Sequence, residues 1–268
     1  MARQRSRSVV IALVAFALLL LSILPATVSA KPALGADARP TIVLVHGSWA
    51  GPSGWDQVVA GLQKDGYDTE TPTLDLATLS GDVATVRATL DAITGDKILV
   101  GHSYGGMVVS GAAAGRSDVR ALVYTAAFVP DVGETAFGLL GQYPPSEAFH
   151  HLVFAPFPYT FIDPAFFPQV FCQDLSPKRA AALNADQRAT SLAVGEEPAG
   201  PAAWHALPSW YAISGQDRII PPALQTSMSA RAGATVVTYD DASHAGGFTH
   251  YASRFVKLIE EAVTQTAD

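Results

Sequence analysis

Residues 97–106 read Lys97-Ile98-Leu99-Val100-Gly101-His102-Ser103-Tyr104-Gly105-Gly106. A short apolar run, 97–100, has the pattern of a strand buried on both faces. The small-residue stretch that follows, 104–115, suits a helix pressed tightly onto a sheet. Between them lies Gly-x-Ser-x-Gly. A strand that turns this sharply into a helix forces the central serine into a strained backbone conformation, and the flanking glycines relieve the crowding. The Ser103 hydroxyl then projects above the sheet edge with a helix N-terminus beneath it.

The same alternation recurs on either side of this stretch. Residues 41–45 (TIVLV) are a β-branched strand, and 55–64 follow with helical spacing. A short strand is expected within 67–71. Leu79, Val83, Val86, Leu90 and Ile93 then form one apolar stripe of an amphipathic helix. Residues 119–126 are a further strand. After an interruption the rhythm returns with a strand at 209–214, a helix at 222–231, a strand at 235–239 and a helix at 251–262. Strands alternating with helices imply a mostly parallel sheet, here of about six strands, with helices on both faces. The core is expected over 41–130 and 206–268. The interruption, 131–205, is too long for a plain connection. It holds eight of the 12 Phe, which is not the composition of a disordered segment, so it reads as a folded lid or cap.

A serine hydroxyl is a weak nucleophile at neutral pH. It needs a base within hydrogen-bond reach and a group that orients the base. His244, in the loop after the last strand, is the candidate base, ahead of His250, His150, His151, His205, His46 and His102. Asp217, directly after the second-to-last strand, is the candidate acid, and Asp131 is the other place such an acid could stand. An oxyanion hole needs two backbone N–H groups. Tyr104, following the nucleophile, and Ser48, in the glycine-rich loop after 41–45, are the candidate donors.

The N-terminus has a different character. Arg3, Arg5 and Arg7 precede a 16-residue apolar run, 9–24, broken only by Ser22, and Val28-Ser29-Ala30 offers a cleavage site. The run is short for a membrane span, so 1–30 is expected to be an export signal cut after Ala30, with a retained anchor as the alternative. Residues 31–40 read as a linker. Removing those three arginines from the 17 Lys+Arg leaves 14 against 24 Asp+Glu, and the net charge moves from −7 to −10. That balance excludes a phosphate backbone as partner, and no basic run remains to hold an anionic membrane surface. A single cysteine, Cys172, excludes an internal disulfide and a cysteine-based zinc module. No metal-ligand spacing and no dinucleotide fingerprint appears, so no cofactor is expected.

Five stretches together carry a family likeness: VLVHGSWAGPSGW (43–55), LVGHSYGGMV (99–108), YTAAFVPDVGE (124–134), SGQDRIIPP (214–222) and ASHAGGF (242–248). The chain resembles the α/β-hydrolase superfamily, in its compact branch of plant methylesterases, hydroxynitrile lyases and bacterial esterase-like proteins. The resemblance implies nucleophile Ser103, acid Asp217, base His244 and oxyanion amides at Ser48 and Tyr104. The resemblance implies a serine hydrolase of carboxylic esters or lactones with a small molecule as its partner; the Phe-rich insertion adds the expectation of small to medium apolar substrates, and the export signal that of a secreted protein with no stable membrane association once the signal is cut. The alternatives are a same-fold lyase, a cofactor-free perhydrolase or a non-catalytic ligand-binding receptor. Hydroxynitrile lyases carry a lysine after the catalytic histidine; here that position is Ala245, which speaks against cyanohydrin cleavage.

Overall fold

The computed structural model describes residues 39–267. The expected export signal at 1–30, and all of the linker but its last two residues, lie outside them. In chain order the elements are β1 (Thr41–Val45), α1 (Asp56–Lys64), β2 (Thr69–Glu70), α2 (Leu79–Ala92), β3 (Lys97–His102), α3 (Gly105–Ala113) and β4 (Val119–Thr125). The inserted segment then supplies α4 (Ala136–Leu140), β5 (Leu152–Phe154), β6 (Tyr159–Ile162), α5 (Phe167–Phe171), α6 (Pro177–Ala185), β7 (Thr190–Ser191) and α7 (Ala193–Glu196). The chain closes with β8 (Ser209–Ser214), α8 (Pro222–Arg231), β9 (Thr235–Tyr239) and α9 (Ala252–Gln265).

Six strands form one parallel sheet in the order β2-β1-β3-β4-β8-β9. Every residue of β3 and β8 is buried, so both sheet faces are covered there. Pairs such as Val45 with Gly101 and His102 with Thr125 align the C-terminal strand ends. The loops after β1, β3, β4, β8 and β9 therefore gather at one rim, where open α/β sheets bind ligands. Strand β3 runs two residues further than its apolar stretch suggests, because Gly101 and His102 still pair with Tyr124 and Thr125.

Helix α2 buries Leu79, Val86 and Leu90 from the expected stripe, with Val83 and Ile93 partly covered. Its N-terminus is capped twice. Thr78 Oγ1 accepts from Gly81 N (3.2 Å), and the Glu197 carboxylate of the insertion accepts from Leu79 N and Ser80 N (2.7 and 3.1 Å). Helix α3 lies so close to its neighbours that a Cβ on Gly106 would sit 2.3 Å from the Phe128 carbonyl oxygen. Among the described residues no helix is long and apolar enough to cross a membrane.

The insertion contains a three-stranded antiparallel sheet, β5-β6-β7, with Leu152 opposite Ile162 and Thr160 opposite Thr190. Its phenylalanines divide three ways. Phe167 and Phe171 are core, Phe137 and Phe149 face a cleft over Ser103, and Phe154, Phe157 and Phe166 are exposed, with Phe161 of β6 half-buried between these extremes.

Candidate active site

Ser103 follows β3 directly and has φ of +55°, in the left-handed region that a residue with a Cβ adopts at a cost. The fold holds it there by close approach. The Ser103 carbonyl accepts from Gly106 N and from Phe128 N, both at 3.0 Å. A Cβ on Gly47 would lie 2.5 Å from the Ser103 Cβ, and one on Gly105 would lie 2.5 Å from the Val45 carbonyl oxygen. Only glycine lets the β1 loop pass this close to the serine.

Asp217 and His244, 27 residues apart in sequence, meet at 2.8 Å between Oδ2 and Nδ1, with both side chains buried. Four donors converge on the carboxylate. Oδ1 accepts from Ile219 N (2.7 Å) and Ile220 N (2.9 Å), and Oδ2 accepts from His244 Nδ1 and from Gln225 Nε2 (2.8 Å). Gln225 also donates to the Ile220 carbonyl and accepts from Ser214 N, so α8 fixes the acid loop through one buried amide. Asp131, the other position considered for an acid, is paired with His205 Nε2 at 2.9 Å instead.

The His244 loop is braced on each side. Ser243 N donates to Asp174 Oδ2 and Ala245 N to the Phe171 carbonyl, both at 3.0 Å and both from the insertion. From behind, His102 Nε2 donates to the His244 carbonyl (3.1 Å), and the two rings lie 4.6 Å apart. Burial holds the His102 imidazole well below its usual range, so it serves as a neutral strut. Among the described residues neither Ser103 Oγ nor His244 Nε2 has a hydrogen-bond partner. Catalytic hydrogen bonds are often long in a ligand-free enzyme and tighten with substrate.

The Ser48 and Tyr104 amides have no acceptor among the described residues, which leaves both free to receive negative charge. Their surroundings are fixed. The Tyr104 phenol donates to Asp82 Oδ2 (2.9 Å), while Asp82 Oδ1 accepts from Asp75 N and Leu76 N. His46 accepts from Leu74 N at Nε2 (3.1 Å) and donates from Nδ1 to the Gly47 carbonyl (3.0 Å). Burial lowers its pKa to about 4, consistent with that neutral tautomer.

Over Ser103 opens a cleft of about 450 Å³ walled by Trp49, Phe128, Phe137, Leu140, Phe149 and Ile219, with no charged side chain in its lining. Phe137 fits there because residue 195 is glycine: a Cβ at that position would lie 2.5 Å from its ring.

His150, His151, His205 and His250 stand outside this constellation. His151 stacks on Phe166, His205 pairs with Asp131, and the exposed His250 meets the Tyr251 ring in a T-shaped contact. Sequence reading missed Gln225, Asp82 and Asp174. Each is a polar residue with no motif around it, and its role depends on which loop the fold brings opposite.

Comparison with known proteins agrees with this architecture. A carbendazim-hydrolysing esterase of Nocardioides sp. strain SG-4G is 40% identical over 118 residues, 39% of this chain and 49% of that protein. The chain thus spans about half the length of that relative. A pyrethroid hydrolase from Sphingobium faniae JZ-2 superposes with a TM-score of 0.71 at 22% identity, over 84% of this chain and 97% of the other. Polyneuridine aldehyde esterase superposes with a TM-score of 0.73 at 18% identity, over 84% and 100%. At these identities the two structures establish the fold. The sequence profile of the alpha/beta hydrolase family matches residues 42–258, nearly the whole described length, and the chain belongs to that family.

Proposed function

We propose that this protein is an exported serine hydrolase of carboxylic esters or lactones. The observation that carries the reading is the buried 2.8 Å hydrogen bond from His244 Nδ1 to Asp217 Oδ2, at the same rim as a serine held at φ +55°. Asp217 keeps the proton on Nδ1 and leaves Nε2 free to act as base. Ser103 Oγ attacks the acyl carbon while its proton passes to His244 Nε2. The carbonyl π pair moves to oxygen, and the Ser48 and Tyr104 amides receive it. The tetrahedral species collapses, the C–O bond to the alcohol breaks, and His244 returns its proton to the leaving oxygen. Water repeats the sequence on the acyl-enzyme and releases the acid.

The uncharged aromatic cleft supports apolar substrates of small to medium size. The names of the Nocardioides and Sphingobium proteins, an esterase and a hydrolase, support ester cleavage. Residue 245 is a buried alanine, so the position after His244 supplies no cation to receive cyanide, which favours hydrolysis over a lyase reaction. The basic, apolar and small-residue order of 1–30 supports export.

A fluorophosphonate is expected to label Ser103 once per chain and to stop turnover of short p-nitrophenyl esters. Label on another residue, or full turnover after labelling, would remove the proposal. Gln225→Leu takes one charge-assisted hydrogen bond from Asp217, worth about 1.5–3 kcal/mol. It is expected to lower kcat about tenfold and to move KM less, because Gln225 does not line the cleft. Steady-state kinetics on the same esters check this, and an unchanged kcat would show that the acid loop needs no such support.

A further inference from the structure

Trp49 has φ of +54° and is buried. A bulky side chain in the left-handed region costs on the order of 1–3 kcal/mol and persists only where its surroundings impose it. Two threonines of the inserted sheet impose it here. Trp49 N donates to Thr190 Oγ1 at 2.9 Å, and the indole Nε1 donates to Thr160 Oγ1 at 3.1 Å. The threonines face one another across the β6–β7 pair and are almost wholly buried. Each sends its own hydroxyl proton elsewhere, Thr160 to the Thr190 carbonyl (3.1 Å) and Thr190 to the Arg188 carbonyl (3.3 Å). Their lone pairs are therefore left facing Trp49, and neither hydroxyl can turn round without losing a bond.

The position of this latch matters because Ser48 lies between two peptide planes. The plane that carries the Ser48 N–H is fixed at its carbonyl end, Gly47 O, by His46 Nδ1. The next plane, which carries Trp49 N–H, is fixed by Thr190 Oγ1. The inserted sheet is in turn fastened to the core, where Ser191 N donates to the Leu76 carbonyl at 2.9 Å. Without the Thr190 oxygen, the buried Trp49 N–H is unpaired and the residue has reason to leave φ +54°, which tilts the Ser48 amide.

We propose that Thr160 and Thr190 are positioning residues for the oxyanion hole, so that the inserted sheet is part of the catalytic apparatus as well as a wall of the cleft. This rests on the ester-hydrolase reading. An oxyanion develops only in the transition state, so the hydroxyls act on kcat more than on KM. Losing an oxyanion donor outright costs on the order of 10²–10³ in kcat; displacing one costs less.

Both threonines also line the cleft, so the test must separate hydroxyl from shape. Valine keeps the shape and removes the hydroxyl; serine keeps the hydroxyl and removes the methyl. Thr190→Val is expected to lower kcat about thirtyfold with KM within about twofold, and to slow fluorophosphonate labelling of Ser103 by the same factor. Thr160→Val is expected to cost about fivefold. Thr190→Ser and Thr160→Ser are expected to stay within about twofold of the original chain in kcat. Serine variants as slow as the valine variants, or losses confined to KM, would overturn the proposal in favour of pocket shape. If Thr190→Val does not fold, the Thr160→Val and Thr160→Ser pair decides on the same criteria. An unsubstituted chain that neither hydrolyses esters nor takes the label overturns the ester reading and this proposal with it. One that does both, with valine variants unchanged, overturns this proposal alone.

Discussion

Asp217→Asn is expected to lower kcat for p-nitrophenyl esters about 10⁴-fold while KM changes little. Four donors surround the carboxylate and fix how an amide must sit in its place. Ile219 N and Ile220 N both aim at one oxygen, and Gln225 Nε2 and His244 Nδ1 both aim at the other. An asparagine offers a carbonyl oxygen, which accepts, on one side and an NH2, which only donates, on the other. Placing its NH2 against the two backbone amides would set donor against two donors with no means of turning away, so its oxygen takes that side. The NH2 then points at Gln225 Nε2 and His244 Nδ1. The imidazole keeps a hydrogen bond only by making Nδ1 the acceptor, which moves its proton to Nε2. In the proposed mechanism that atom receives the proton of Ser103, and a protonated Nε2 cannot. Asp217 does not line the cleft, so substrate binding has little reason to change. The variant should be compared with the parent by steady-state kinetics, with a thermal melt to establish that it is folded. A loss smaller than tenfold in a folded variant would mean that His244 does not depend on Asp217 for its tautomer, and the proposed division of roles would fall.

Much of this site is legible in the sequence. The four central strands, β1, β3, β4 and β8, announce themselves because a strand buried on both faces has little choice but to be an apolar run, as TIVLV at 41–45 is, whereas the edge strands β2 and β9 are short or largely exposed. The turn at Ser103 announces itself because only glycine fits beside it. Asp217 and His244 can be located from their places after the last two strands. The insertion is harder. Strands β5, β6 and β7 have three, four and two residues, and β7 pairs with β6 from some thirty residues away. No periodicity can build up over such lengths, so the segment reads only as folded and aromatic. Its attachments are more hidden still. Thr160, Thr190, Asp174 and Glu197 are ordinary polar residues by composition, and what they hold is decided by tertiary pairing. The exposure of Phe154, Phe157 and Phe166 shows the same thing from the other side, since aromatic content alone does not say which rings are core.

The fold should also weaken steeply in mild acid, and two histidines are the reason. Burial holds the pKa of His46 down at about 4 and that of His102 well below its ordinary value. In the unfolded chain both return to about 6.5. Between those limits the unfolded state binds more protons than the folded one, so stability rises with pH and is lost as pH falls. For His46 the window runs from about pH 6.5 to about pH 4. At 1.36 kcal/mol per pKa unit, its contribution lost across that window is about 3 kcal/mol. His102 adds to the same slope. Asp82 opposes it, because burial raises its carboxyl and the folded state takes up that proton more readily. Asp118 and Glu134, held low by Arg116 and Arg231, stabilise the fold fully above the usual carboxylate range and lose that effect as the pH falls through it toward their lowered folded values. Urea unfolding at pH 7.5 and pH 4 should therefore differ by about 3 kcal/mol or more, a large part of a domain's stability. His46→Gln keeps one donor for the Gly47 carbonyl and one acceptor for Leu74 N but does not titrate. Its unfolding free energy should change by about 3 kcal/mol less than the parent's between the same two pH values. An equal slope in the two proteins would place the acid sensitivity elsewhere, and the link between the buried His46 and the stability of the β1 loop would have to be abandoned.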